Sequence, residues 1–328
     1  MFNTKLDFVS IGEVLVQLNP LTPGPLRYPK LFETHVAGSE ANMLIGLRKL
    51  GYTAGIISRV GNDEFGMMII NFLRSEGVDT SRILVDNEAP TGVYFIQRHY
   101  PIPGQSTVFY YRHGSAASKM GPEDVDEDYI AKFKALIITG ITPALSDTCY
   151  YAVKKAYEVA AKEGLDIIFD TNVRIKLWRD LNKARERLSY FLKSKIVFTN
   201  REDLAVLFTN VSLEEAMHKV IDLGVELLVV KLGDEGSLAM NRNYEVFRAH
   251  AFNVPIIEDV IGAGDAFNAA FLASLYKGLS IEDSLRYGNA AGALVVTTRG
   301  DVEAQPTWSV LDSFIKYNKM KKEESLIR

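Results

Sequence analysis

Short, nearly continuous apolar runs alternate with helical patterns from about residue 120 onward. "ALIITG" (135–140) precedes a helical stretch at 148–163 stopped by Gly164, "LDIIFD" (165–170) follows, and another helix leads into "KIVFTN" (195–200). A strand covered on both faces needs apolar residues at successive positions, whereas a strand with one wet face alternates. The pattern therefore predicts the α/β class, a doubly wound, mostly parallel sheet with helices on both faces. Gly51, Gly77, Gly224 and Gly278 fall where helices should stop, as C-terminal caps favour a left-handed glycine. "VELLVVKLGDEGSLAM" (225–240) reads as strand, glycine turn and strand, an antiparallel hairpin near the sheet's end.

Two early segments break the rhythm. "EVLVQLN" (13–19), and "TGVYFIQR" (91–98) with "STVFYYR" (106–112), mix small, polar and aromatic residues as a half-wetted sheet would. They are assigned to a small β-sheet lid over the mouth of the main sheet, formed from about 13–37 and 91–115 and inserted in a single domain spanning 1–328. Such an exposed sheet needs cover, which predicts a homo-oligomer through the lid.

Composition narrows the partners. A net charge of -4 with both signs interspersed offers no basic face for nucleic acid. The one cysteine, Cys149, can neither form an internal disulfide nor supply a structural zinc site alone, so the expectation is a cytoplasmic chain whose metal, if any, is held by oxygen. Asp7 and Glu13 interrupt the first apolar stretch and no run reaches membrane-spanning length, so neither a signal peptide nor a membrane partner is expected.

Chemistry concentrates at 259–265, "DVIGAGD", directly before the apolar run "AFNAAFLASL". Gly262, Ala263 and Gly264 let the backbone turn tightly and present consecutive N–H groups at a helix start, a cradle for phosphate. Asp265 lies at the same end, where the helix N-terminus favours its charged form, so it is expected to be ionised at neutral pH and able to accept a proton. Alone, the pattern also suits an N-cap and a glycine loop.

Other blocks decide between these readings. "HVAGSEANMLIGLRKLG" (35–51), "SRVGNDEFG" (58–66), "DTNVR" (170–174) and the 259–265 turn resemble, in order, the motifs of the ribokinase-like (PfkB-type) carbohydrate kinases, and the resemblance covers essentially the whole chain. Within that family "VAGSEAN", "TGVYFIQR", "YYRHGSAAS" and "RGD" resemble most the 2-keto-3-deoxygluconate kinases. The resemblance implies a doubly wound kinase fold with a β-lid, ATP and Mg2+ as cofactors with room for a monovalent cation, and phosphorylation of a sugar acid at its 6-hydroxyl. A fructokinase or ribokinase of the same fold is the alternative. A dinucleotide-binding oxidoreductase is disfavoured, since "SIGEVLV" lacks the second and third glycines of that fingerprint.

Carried over position by position, the resemblance makes Asp265 the base beside Gly262, Ala263 and Gly264. It assigns Gly38, Tyr94, Tyr110, Arg112, Arg174 and Asp301 to the sugar acid, with Asn42 as support. It places Asn172, Asn200, Lys231, Gly233, Gly236 and Asn289 at the nucleotide, and gives Asp203 a water-mediated hold on the metal, with Glu202 competing for that place. Neutral-sugar kinases of the family commonly carry an aspartate where "GEVLVQLNP" has Gln17, and a carboxylate there would repel an acid sugar, whereas Arg112 and Arg174 offer forked donors to one. Tyr110 and Tyr111 should point to opposite faces of a strand, so one of them faces substrate. Cys149 is read as inert packing.

Overall fold

The computed structural model describes residues 5–102 and 105–327, with side chains described through 320. In chain order the strands are β1 (Leu6–Ile11), β2 (Leu15–Pro20), β3 (Phe32–Ala37), β4 (Ala54–Gly61), β5 (Asp79–Asp86), β6 (Val93–Arg98), β7 (Ser106–Tyr111), β8 (Phe133–Thr139), β9 (Asp166–Asp170), β10 (Ile196–Asn200), β11 (Leu227–Lys231), β12 (Ser237–Asn241) and β13 (Val246–Ala249). They form a 9-stranded sheet in the order β13-β12-β11-β10-β9-β8-β1-β4-β5 and a 4-stranded sheet in the order β3-β2-β6-β7. Strands from β5 through β11 of the large sheet run parallel, and the expected hairpin adds β12 antiparallel to β11.

Consecutive residues of each central strand serve different cores. Phe8 and Ile137 pack beneath the helices Ser39–Lys49, Ala263–Tyr276 and Ile281–Val295. Their neighbours Val9 and Ile138 pack against Asp147–Lys162, Leu181–Phe191 and Leu213–Asp222 on the other face. Two-sided burial explains the unbroken apolar runs, and each large side chain so buried contributes roughly 1.5–3 kcal/mol. The helix Ala263–Tyr276 is buried nearly all round, from Ala266 and Phe267 through Phe271 and Leu272, so it has no polar face. Ser146 opens the predicted 148–163 helix by accepting from Cys149 N at 3.0 Å, and all five glycines predicted as helix stops take positive φ.

The small sheet comes from the segments the sequence singled out, with two refinements: β3 lies at its edge, and β2 pairs with β6 in parallel. Its inner face, Leu15, Ala37, Tyr94 and Ile96 with Val108 and Tyr110, packs on Ile261. Its outer face carries Phe95 edge-on to Phe32 and Tyr111, and leaves Phe109 and Tyr111 exposed. No helix among the described residues is long and apolar enough to cross a membrane.

From central β1 the chain winds outward to β4 and β5, then returns through β8 and winds the other way to β11. The strand order reverses between β1 and β8, and in such sheets the crevice at the carboxyl ends of those strands is where ligands bind.

Candidate active site

Residues just past the carboxyl ends of five strands line one cleft of about 610 Å³: Glu13 after β1, Ile141 after β8, Asn172 and Arg174 after β9, Glu202 after β10, and Gly233 after β11. Lys231 and Asn200, the last residues of their strands, line it too. The small sheet supplies Tyr94 and Tyr110, with Arg112 just beyond β7, and the start of helix Ser39–Lys49 supplies Gly38 and Asn42. Gly262, Gly264, Asp265 and Asp301 complete the wall. Tyr110 therefore faces the cleft, and Tyr111 faces solvent.

The turn at 262 is sterically reserved for glycine. Gly262 has φ 81°, and a Cβ there would lie 2.5 Å from the carbonyl oxygen of Asp301. Ala263 begins the helix, and the first-turn N–H groups have no intrahelical acceptors, so they can serve an anion. Lys231 Nζ sits beside this turn, held 3.2 Å from both oxygens of the buried Asp170 and 3.2 Å from Asn268 Oδ1.

Asp265 accepts from Ser39 Oγ at 2.6 Å and from Asn42 Nδ2 at 2.8 Å, and Asn172 Nδ2 in turn donates to Ser39 Oγ at 2.9 Å. Burial raises the Asp265 pKa above the usual carboxylate value, and its hydrogen bonds and Lys231 only partly oppose that. The expectation that the helix terminus dominates its ionisation is thereby corrected: desolvation outweighs it. Asp301 accepts from Asn42 at 3.0 Å and from Gln17 Nε2 at 2.6 Å, and burial with the nearby Asp265 charge pushes it to about 7.

Arg112 lines the cleft as expected, with its Nη2 ion-paired to Glu13, whose other oxygen accepts from Ser115 Oγ at 2.8 Å. Arg112 also stacks over the Tyr110 ring. Arg174 differs: it is exposed in the cleft and forms no ion pair among the described residues.

At the nucleotide side Asn200 stays on the cleft wall, while Asp203, Asn289 and Gly236 lie off it. Asp203 is buried, accepting from Thr171 Oγ1 at 2.6 Å and Val173 N at 3.0 Å, so it braces the β9 loop off the cleft wall; exposed Glu202 lines the cleft instead. Asn200 uses its side-chain oxygen to cap the helix Arg201–Leu207. Asn289 lies off the cleft wall, donating to the carbonyls of Ala249 and His250 at 3.0 and 3.1 Å. Gly236 also lies off it, closing the β11–β12 hairpin where a Cβ would strike Ala249 O. Gln17, expected beside the sugar, is fully buried behind the cleft.

Sequence reasoning missed Glu13, Ser39, Glu40 and Asp170. Glu13 sits directly after the first strand, the one available signal for a switch-point residue. Glu40 lies at the cleft floor, accepts from the hydroxyls of Thr139 and Thr142 at 2.7 Å each, and is pushed by burial to about 7. Cys149 is buried, and its thiol is raised to about 12, which makes it unreactive.

This architecture agrees with known proteins. The profile of the pfkB family carbohydrate kinases matches residues 5–308, and the chain belongs to that family. It is 45% identical over 313 residues, 95% of this chain and 94% of the relative, to 2-dehydro-3-deoxygluconokinase of Thermoproteus tenax. It is 33% identical over 315 residues, 94% of this chain and 96% of the relative, to 5-dehydro-2-deoxygluconokinase of Bacillus subtilis. Among solved structures, a candidate ribokinase II from E. coli in complex with ATP and Mg2+ superposes with a TM-score of 0.88 at 29% identity, covering 95% of this chain and 99% of that one. The chain is a sugar kinase.

Proposed function

We propose that this kinase transfers a phosphoryl group from ATP to the 6-hydroxyl of 2-keto-3-deoxygluconate, also called 2-dehydro-3-deoxygluconate. The observation that carries the reading is Arg174, a cation without an acidic partner among the described residues, in the same cleft as Asp265. A carboxylate-bearing sugar satisfies it, and a neutral sugar does not. The Thermoproteus tenax relative supports the same substrate class. Relatives named for 5-dehydro-2-deoxygluconate make that acid the second reading, since it too joins a carboxylate to a terminal hydroxyl.

Within this reading Asp265 accepts the proton of the attacking hydroxyl, and a raised pKa suits a base working near neutrality. Ser39 and Asn42 fix the carboxylate's orientation. The N–H groups after Gly262 and the amine of Lys231 receive the transferring phosphates, and Tyr94 and Tyr110 from the lid exclude water. The glycine-only turn and adjacent lysine fit a nucleotide's phosphates, and Glu202, an exposed carboxylate lining the cleft, would meet its Mg2+ through water. When bound, ATP supplies the phosphoryl group and Mg2+ offsets the charge on its phosphates. Asp259, whose Oδ2 is buried without a hydrogen-bond partner, has the donor chemistry a monovalent cation requires. The exposed aromatics of the lid's outer face support association of two copies there.

A coupled assay with 2-keto-3-deoxygluconate, its galactonate epimer, 5-dehydro-2-deoxygluconate, fructose and ribose tests the reading. The highest kcat/KM is expected for 2-keto-3-deoxygluconate. A preference for fructose or ribose sinks the carboxylate argument.

A further inference from the structure

Gln17 stands on β2 of the small sheet, is fully buried, and does not touch the cleft. Its amide nitrogen nonetheless reaches two residues that do. Nε2 donates to Asp301 Oδ1 at 2.6 Å and to Tyr94 Oη at 2.7 Å, and its own oxygen faces Asn19 Nδ2 at 3.4 Å. A primary amide has two N–H donors, and both are committed here.

We propose that Gln17 is a specificity-determining positioning residue, holding Asp301 and Tyr94 from behind as a paired acceptor and donor for a substrate hydroxyl. The inference rests on the sugar-kinase cleft described above and deepens it. Asp301 receives one donor on each oxygen, Gln17 on Oδ1 and Asn42 on Oδ2 at 3.0 Å, which leaves its remaining lone pairs for a ligand in the cleft. Tyr94 spends an oxygen lone pair on Gln17, and its own hydrogen remains to point either toward Asp301, 3.3 Å away, or into the cleft. Without the amide, Asp301 keeps only the Asn42 donor on its other oxygen and Tyr94 loses the donor to its phenol oxygen, so the orientation of the pair is loosened.

The same contacts explain why position 17 is neutral in this chain. A carboxylate there would face the Asp301 carboxylate at hydrogen-bond distance inside a dry layer, where two like charges cannot both persist. Asp301 already faces Asp259, Asp265 and Glu303, with His35 and Tyr94 nearby, so further negative charge has no compensation. Position 17 thus acts on sugar choice through Asp301, not by contact.

The test compares Gln17→Met, which keeps length and removes both donors, and Gln17→Glu with the wild type. KM for the best sugar of the panel, KM for MgATP, kcat and Tm are each measured. The expected result is a rise of about ten- to hundredfold in sugar KM for both variants, with KM for MgATP within about twofold of wild type. A general packing defect would instead move both KM values and Tm together. Sugar KM unchanged in either folded variant overturns the inference. Failure of the sugar-acid reading shows separately, as a wild-type preference for a neutral sugar, and the Gln17 comparison is then made with that sugar.

Discussion

Asp265 and Asp301 are bridged by one amide: Asn42 Nδ2 donates to Asp265 Oδ2 at 2.8 Å and to Asp301 Oδ2 at 3.0 Å. Burial first, and the neighbouring Asp265 charge after it, push Asp301 to about 7, and burial raises Asp265 as well. The proposed mechanism needs both as anions, one to take a proton and one to accept a sugar hydroxyl. Activity should therefore be lost as pH falls through about 7, and kcat/KM measured from pH 5.5 to 9 should show that acidic limb. A flat profile down to pH 5.5 contradicts the pairing.

Replacing Asp265 with Asn removes the proposed base and keeps its shape. A loss of about 10²–10⁴ in kcat is expected, with an unchanged circular dichroism spectrum. Near-normal turnover by a folded Asp265→Asn protein would remove the residue from the chemistry.

The two arginines should separate in behaviour. Arg112→Ala strands the buried Glu13 carboxylate, at about 3–5 kcal/mol of stability. Arg174→Ala breaks no ion pair among the described residues, so Tm should hold while kcat/KM for the sugar acid falls about ten- to hundredfold and any turnover of fructose is unaffected. Calorimetry and steady-state kinetics on both proteins distinguish the roles.

Glu40 makes a stability prediction. Its folded pKa is raised from 4.5 to about 7, so its contribution is fully present below pH 4.5 and lost as pH rises through about 7. Glu40→Gln should raise Tm by on the order of 5 °C at pH 8.5 and little at pH 5. Equal shifts at both pH values contradict a buried, protonated glutamic acid.

The outer lid face can be tested by light scattering. Tyr111→Glu adds charge beside Phe95 on the same exposed face, so an assembly built on that face should dissociate toward monomer. A wild-type protein that is strictly monomeric at micromolar concentration excludes association there.

Much of this was written locally. The strands around β8, β9 and β10 were readable because two-sided burial leaves no room for polar residues, and the Tyr110–Tyr111 choice reduces to the pleat. The turn at 262 announced itself through two glycines before a helix with no polar face. What stayed hidden depends on contacts between distant segments or on helix phase. Arg112 looks free until β1 and β7 bring Glu13 beside it. Glu202 and Asp203 are adjacent, and only the Asn200 cap, by setting the helix's phase, turns one toward the cleft and the other into the protein. Asp265 looked like a helix-terminal anion because sequence shows its neighbours along the chain and not the depth at which it is buried.

The backbone of Asp301 occupies the space a side chain at 262 would need, so the turn proposed to hold phosphate and the loop proposed to face the sugar are cast as one piece. Transplanting residues 299–302 from a relative to redirect sugar preference will disturb nucleotide handling as well, unless 259–264 travels with them as a matched insert.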